Sequence, residues 1–171
     1  LVANQDYRTL VAKNMYRYRF NEPVEPEDTI GILRGKEGVR IKSFYSYCAK
    51  IYGVDWKGRN YNAADWDSQD DINKALSSAN VAFYGIVKAA ICAMGYSSAL
   101  GFIHTGHINS FVFDIADLYK TKITIPMAFE IVATKSGNIA ALARTAIRDY
   151  IKQHDIMKTI VEDIHKTLDI R

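Results

Sequence analysis

The chain has 171 residues, 49% of them apolar and 24% charged, with a formal net charge of +3. That size and apolar share suit one globular domain with a sizeable core, and no repeat or low-complexity tract interrupts it. No apolar run approaches the roughly 20 residues that span a bilayer. Cys48 and Cys92, far apart and outside any CxxC pattern, argue against a disulfide framework or a thiolate zinc site and for a reducing, cytoplasmic setting.

The first residues, LVANQDYRTLVAKNMYRYRF, read as the middle of a helix rather than a signal or transit peptide. A fragment of a longer protein is therefore expected. This first helix runs to about Phe20 and is stopped by the acidic, proline-containing NEPVEPED. A second helix is predicted from about Ile30 to Tyr52, with Gly53 as its terminating glycine. Residues 54–69, VDWKGRNYNAADWDSQ, form a polar loop carrying two Trp and one Tyr.

A third helix starts at an N-cap of Asp70 or Asp71 and runs toward Gly95. From Ile72 to Phe113 only Lys74 and Lys88 carry charge, so this helix is expected to be central and covered on most sides. The segment GFIHTGHINSFVFDIADLYK (101–120) then turns as far as Gly106 and re-enters a short helix from about Asn109. After Ile123 come a shorter helix and a long C-terminal helical stretch broken near Gly137. The expected fold is all-α, one domain over residues 1–171.

Charge is unevenly placed. Residues 31–60 carry Arg34, Lys36, Arg40, Lys42, Lys50, Lys57 and Arg59 against Glu37 and Asp55, and acidic clusters flank the block on both sides. Such a local basic face can attract phosphates although total charge is small, or can simply be a solvated helix face.

Four polar residues stand out against apolar surroundings. On a helical wheel Glu37 shares the face of Ile41, Phe44, Tyr45, Cys48 and Tyr52. A carboxylate there must be paired, protonated or metal-bound. Arg34, one turn earlier, is the simplest structural partner, and Gly35 and Gly38 leave room for a backbone or ligand to approach. Asp114 and Asp117, three residues apart, share one side of the short helix, with His104 just upstream. Two carboxylates and an imidazole make a mixed oxygen and nitrogen donor set suited to Mn²⁺ or Mg²⁺.

The stretches LRGKEGVR (33–40), YGVDWKGRNYN (52–62), ALGFIHTG (99–106) and SFVFDIADLYK (110–120) together resemble the CRISPR adaptation integrase, the first CRISPR-associated protein, also described as a CRISPR-associated endonuclease. The likeness is to the type I-E branch and runs in order from about Asp6 to Asp149. It implies a multi-helix catalytic domain whose usual N-terminal β-rich partner domain is absent from this chain. It implies Glu37, His104 and Asp117 as ligands of Mg²⁺ or Mn²⁺, with Asp114 beside them as an orienting group or occasional ligand. The implied reaction joins a protospacer 3′-hydroxyl to a phosphodiester of the CRISPR repeat, the step of spacer acquisition in antiviral defence. The same site can run disintegration or nuclease chemistry.

By the same resemblance Tyr61, Trp66 and Tyr84 lie near DNA ends, where rings can stack on splayed bases. Arg34, Arg40, Arg59, Lys120, Arg144 and Arg148 become contacts to DNA. Trp56 and Trp66 could instead pin the long loop onto the core. His107 and Phe113 occupy DNA-facing positions where relatives carry lysine and tyrosine, which puts the flanking-motif preference in doubt. The implied partners are double-stranded DNA with single-stranded 3′ ends, CRISPR repeat DNA, the small second CRISPR-associated protein, and a second copy in the full-length family; no membrane is implied.

An alternative from another class is a subunit that binds DNA ends or assembles the complex without chemistry. A remoter one is a helical phosphohydrolase built on His154-Asp155, whose QHDI context reads as an exposed face of the terminal helix.

Overall fold

A computed structural model describes residues 4–60 and 66–169. Helix α1 spans Gln5–Phe20, α2 Ile30–Tyr52, α3 Asp71–Ala93, α4 Ser110–Asp117, α5 Ile125–Thr134, α6 Ile139–Gln153 and α7 Ile156–Leu168; a π-helical turn, Lys120–Thr124, precedes α5. No strand occurs among the described residues, and the expected all-α class is what is found.

Local chemistry explains the boundaries. Asn4 caps α1 by accepting from the backbone N–H groups of Asp6 and Tyr7, and Asn21 ends it in the left-handed region at φ 51. Gly53 follows α2 at φ +66, and Gly95 follows α3 at φ +78. Asp70 caps α3 by accepting from Asn73 N–H at 2.8 Å. Gly137, at φ +102, separates α5 from α6. One break differs from expectation. His154 and Asp155 are exposed but do not lie on the face of a terminal helix; Asp155 turns left-handed at φ 49 and divides α6 from α7.

Helix α3 is long and apolar enough to cross a membrane by length and composition, contrary to the sequence expectation. Its stripe of Ile72, Leu76, Ala79, Phe83, Val87 and Ile91 is buried in protein, the pattern of a core helix. Full burial of each of its larger side chains contributes about 1.5–3 kcal/mol.

The chain divides into two compact units, residues 1–40, 84–119 and 155–171 forming one and 41–83 with 120–154 the other. In the first, Ala12, Tyr16, Val24 and Leu33 build a core patch with Phe20, Ile30 and Ile103 against it. Its C-terminal helix is fastened by Asp163, 2% exposed, which accepts from the hydroxyls of Tyr18 and Tyr119, each at 2.6 Å. In the second unit, Trp56 stacks on Tyr45 with ring centres 4.8 Å apart and meets Phe129 edge-on at 5.6 Å. Trp56 thus pins the polar loop, whereas Trp66 is exposed.

The two phenols on Asp163 make alkaline stability testable. Burial, then the bond to Asp163, pushes the Tyr18 hydroxyl up from 10.0 to about 12, and the same causes raise Tyr119 well above the usual tyrosine range. The folded phenols keep protons that the unfolded chain has lost, so this stabilisation is complete below pH 10 and declines as pH rises toward 12. The guanidinium midpoint should fall between neutral pH and about pH 11, with tyrosinate absorbance lagging behind that of the unfolded chain. An unchanged midpoint and an ordinary tyrosine titration would contradict it.

Candidate functional site

Four candidate residues lie in the first unit, and Asp114 organises the segment that carries one of them. Its side chain, buried in α4, accepts from Phe102 N–H at 2.6 Å and Ile103 N–H at 3.1 Å through Oδ2. Through Oδ1 it accepts from His104 N–H at 2.9 Å and meets His104 Nδ1 at 2.8 Å. Three consecutive backbone donors and a ring nitrogen therefore close on one carboxylate. An ionised carboxylate only accepts, so Nδ1 carries a proton, and the neutral form of the ring has its lone pair on Nε2. Of the two roles left open for Asp114, orienting the imidazole is the one its bonds describe.

Glu37 and Asp117 are brought to a common cation. Arg19, near the end of α1, has a side chain only 4% exposed; its Nη1 forms an ion pair with Glu37 Oε1 and lies 3.9 Å from Asp117 Oδ2. A buried-face carboxylate needed a partner, and Arg19 fills that role where Arg34 was expected. Arg34 is exposed but lines the same cleft as Arg19, Glu37, Asp114 and Asp117. A signal for Arg19 existed: Val11, Ala12, Met15 and Tyr16 form the buried stripe of α1, and Arg19 continues it at helical spacing. The wheel for α2 holds, since Leu33 and Cys48 are buried and Glu37, Ile41, Phe44, Tyr45 and Tyr52 half-buried. Among the described residues, no neighbouring backbone uses the gap at Gly35 or Gly38, where an added Cβ would meet nothing within 4 Å.

The expected DNA-facing residues divide between the units. In the first, Phe113 gathers Tyr84, His107 and His104, with ring centres at 5.2, 5.1 and 5.9 Å. Arg40 donates to the Tyr16 hydroxyl at 2.9 Å, pairs with Glu22 and lies over the Phe20 ring. In the second unit, Arg59 holds the polar loop on α3 through Asn73 Oδ1 at 2.7 Å and Ser77 Oγ at 2.8 Å. Arg144 and Arg148 are exposed one turn apart on α6, and Arg148 pairs with Asp149 at 2.8 Å. Lys120 begins the π-helical turn. Tyr61 lies outside the described residues.

The basic block is partly neutralised by the acidic clusters beside it. Lys36 binds both oxygens of Asp28 at 2.8 and 2.7 Å, a pairing that lowers the carboxyl and raises the ammonium from their usual values.

Among the described residues, no three His, Cys, Asp or Glu side chains are grouped to hold one ion. The donor chemistry nevertheless fits a hard divalent cation. Two carboxylates already share a positive charge, and the third donor is held in its lone-pair tautomer by a carboxylate, the usual support of a metal-bound imidazole.

The family model described as CRISPR associated protein Cas1 matches residues 3–166. The chain is 46% identical to the CRISPR-associated endonuclease Cas1 of Clostridium sp. (strain SY8519), covering 100% of this chain and 58% of that protein. It is 39% identical to the protein of the same description from Escherichia coli (strain K12), covering 98% of this chain and 55% of that one. The structure superposes on a solved TtCas1–DNA complex with a TM-score of 0.91 at 37% identity, over 99% of this chain and 63% of the other. The chain thus spans somewhat more than half the length of the curated relatives it matches.

Proposed function

This chain belongs to the CRISPR-associated protein Cas1 family, and we propose that it carries the catalytic site of a DNA endonuclease and integrase of CRISPR adaptation. The observation that supports this best is the paired arrangement of donors: Glu37 and Asp117 around one buried cation, and His104 fixed by Asp114.

In this reading Glu37, Asp117 and His104 would hold Mg²⁺ or Mn²⁺. When bound, such an ion polarises a phosphodiester and makes an attacking hydroxyl more acidic. Asp114 keeps the proton on Nδ1, so that Nε2 is available as a donor. The 3′-hydroxyl oxygen of the incoming strand forms a bond to phosphorus of the repeat strand. The bond from phosphorus to the repeat's own 3′ oxygen breaks, and that oxygen leaves and takes up a proton. Water in place of the hydroxyl gives the nuclease reaction. Arg34 at the cleft and the Tyr84–Phe113–His107 aromatic group serve the DNA ends, the first by charge and the second by stacking. Assembly with a second copy and with the small second CRISPR-associated protein, in the cytoplasm, belongs to the same proposal.

Strand transfer by the full-length protein with Mn²⁺ or Mg²⁺ is the test. His104→Ala and Asp117→Ala should each lower the rate at least about 100-fold. Activity unchanged in both would refute the assigned site.

A second reading, DNA-end binding without chemistry, draws on the ungrouped donors among the described residues. Salt-sensitive DNA binding with no metal-dependent turnover would favour it.

A further inference from the structure

We infer that Arg19 is a phosphate-binding residue kept on the carboxylates until a divalent cation displaces it, so that it couples metal binding to DNA binding. The inference rests on the metal-site reading given above and adds a residue to it.

Three observations carry it. Arg19 is almost wholly enclosed, yet one nitrogen, Nη1, makes both of its carboxylate contacts. Its Nε and Nη2 are buried and find no acceptor among the described residues. The side chain also stands in the wall of a small open cleft, together with Arg34, Glu37, Asp114 and Asp117. A guanidinium presents five N–H groups in a rigid plane and stays charged. A purely structural ion pair at this depth would use more of them, because buried donors are costly to leave unmatched. The Phe20 ring, 5.0 Å from the guanidinium carbon, gives it a surface on which to turn.

Charge decides the direction. Glu37 and Asp117 carry two negative charges to the one positive charge of Arg19, while Arg34 lines the same cleft. A divalent ion on the two carboxylates balances them alone and leaves the Arg19 charge in excess. Two cations so close repel each other. A phosphodiester brings one negative charge and a pair of oxygens that match the guanidinium fork. Metal therefore releases Arg19, phosphate captures it, and each ligand strengthens the other.

The test measures Mn²⁺ binding by calorimetry and short-duplex binding by fluorescence anisotropy, with and without Mn²⁺, on the full-length protein. In the wild type Mn²⁺ should tighten duplex binding roughly tenfold. Arg19→Gln should bind Mn²⁺ more tightly than the wild type and lose that coupling. Its metal-free melting temperature should fall, and Mn²⁺ should raise it by more than it raises the wild type's. This last comparison still decides the matter if Arg19→Gln folds only marginally.

If Arg19→Gln weakens Mn²⁺ binding as much as Glu37→Gln does, Arg19 is only a scaffold and the inference fails. Wild-type coupling in Arg19→Gln would overturn it equally. Wild-type Mn²⁺ affinity in Glu37→Gln is the separate result that removes the metal site itself, and Arg19's role with it.

Discussion

Asp114→Ala is expected to lower stability by about 3–5 kcal/mol, as does removal of one partner from a buried charged cluster, and to abolish strand transfer even where the chain remains folded. The carboxylate is 1% exposed and is the acceptor for the N–H groups of Phe102, Ile103 and His104. Alanine leaves those three donors facing a space with no acceptor, and each unmatched buried donor costs about 1–3 kcal/mol. The segment can recover part of that only by opening toward water, which carries His104 away from its place. Asp114→Asn separates the two effects. The amide oxygen can still accept from part of the backbone, but the amide nitrogen is a donor and opposes Nδ1–H or a backbone N–H. It should lose less stability than alanine while still lowering activity by about 10- to 100-fold, the usual effect of disturbing a group that orients a metal-binding histidine. Guanidinium unfolding and strand transfer on both variants check this. Wild-type stability in Asp114→Ala would show that the carboxylate does not organise the segment.

Much of the architecture could be read from local chemistry, because helix ends are written in neighbouring residues. Asn4, Asp70 and the glycines at 53, 95 and 137 mark boundaries where a cap or a left-handed residue is required. The division at Asp155 was hidden because an aspartate takes the left-handed conformation that glycine usually announces. In the candidate site, a carboxylate on an apolar helix face was a readable anomaly at Glu37, Asp114 and Asp117. The cation that Glu37 and Asp117 share was not readable, nor was the acceptor of Tyr119, since each lies far off in the chain. Arg19 reaches Glu37 across 18 positions, and Asp163 reaches Tyr119 across 44. Both continue buried stripes, Arg19 after Tyr16 and Asp163 between Ile160 and Ile164. A charged residue completing an apolar stripe was thus the available signal, present on α1 and α7 as it is on α2 and α4.

Gly101→Ala should be the most damaging change among the glycines, costing more than about 3 kcal/mol because a well-packed backbone cannot yield. A Cβ there would stand 1.7 Å from the His104 carbonyl oxygen, 2.5 Å from Ser110 Cβ and 2.9 Å from the His104 carbonyl carbon. No rotamer relieves a clash with main-chain atoms. Either the turn at 101–104 must open or α4 must move at its first residue, Ser110, and both break the bonds that Asp114 makes to Phe102 and His104. The atoms that yield are His104's own, so the variant should lose strand transfer as fully as His104→Ala although every candidate ligand is retained. Gly85→Ala is the matched control: it lies within α3, where an added Cβ meets nothing within 4 Å. Alanine there should stabilise by about 0.5–1 kcal/mol. Denaturation midpoints moving in opposite directions for the two variants, with activity lost only in Gly101→Ala, are the expected result. A Gly101→Ala protein of wild-type stability and rate would mean that His104 does not need the tight turn that places its carbonyl against residue 101.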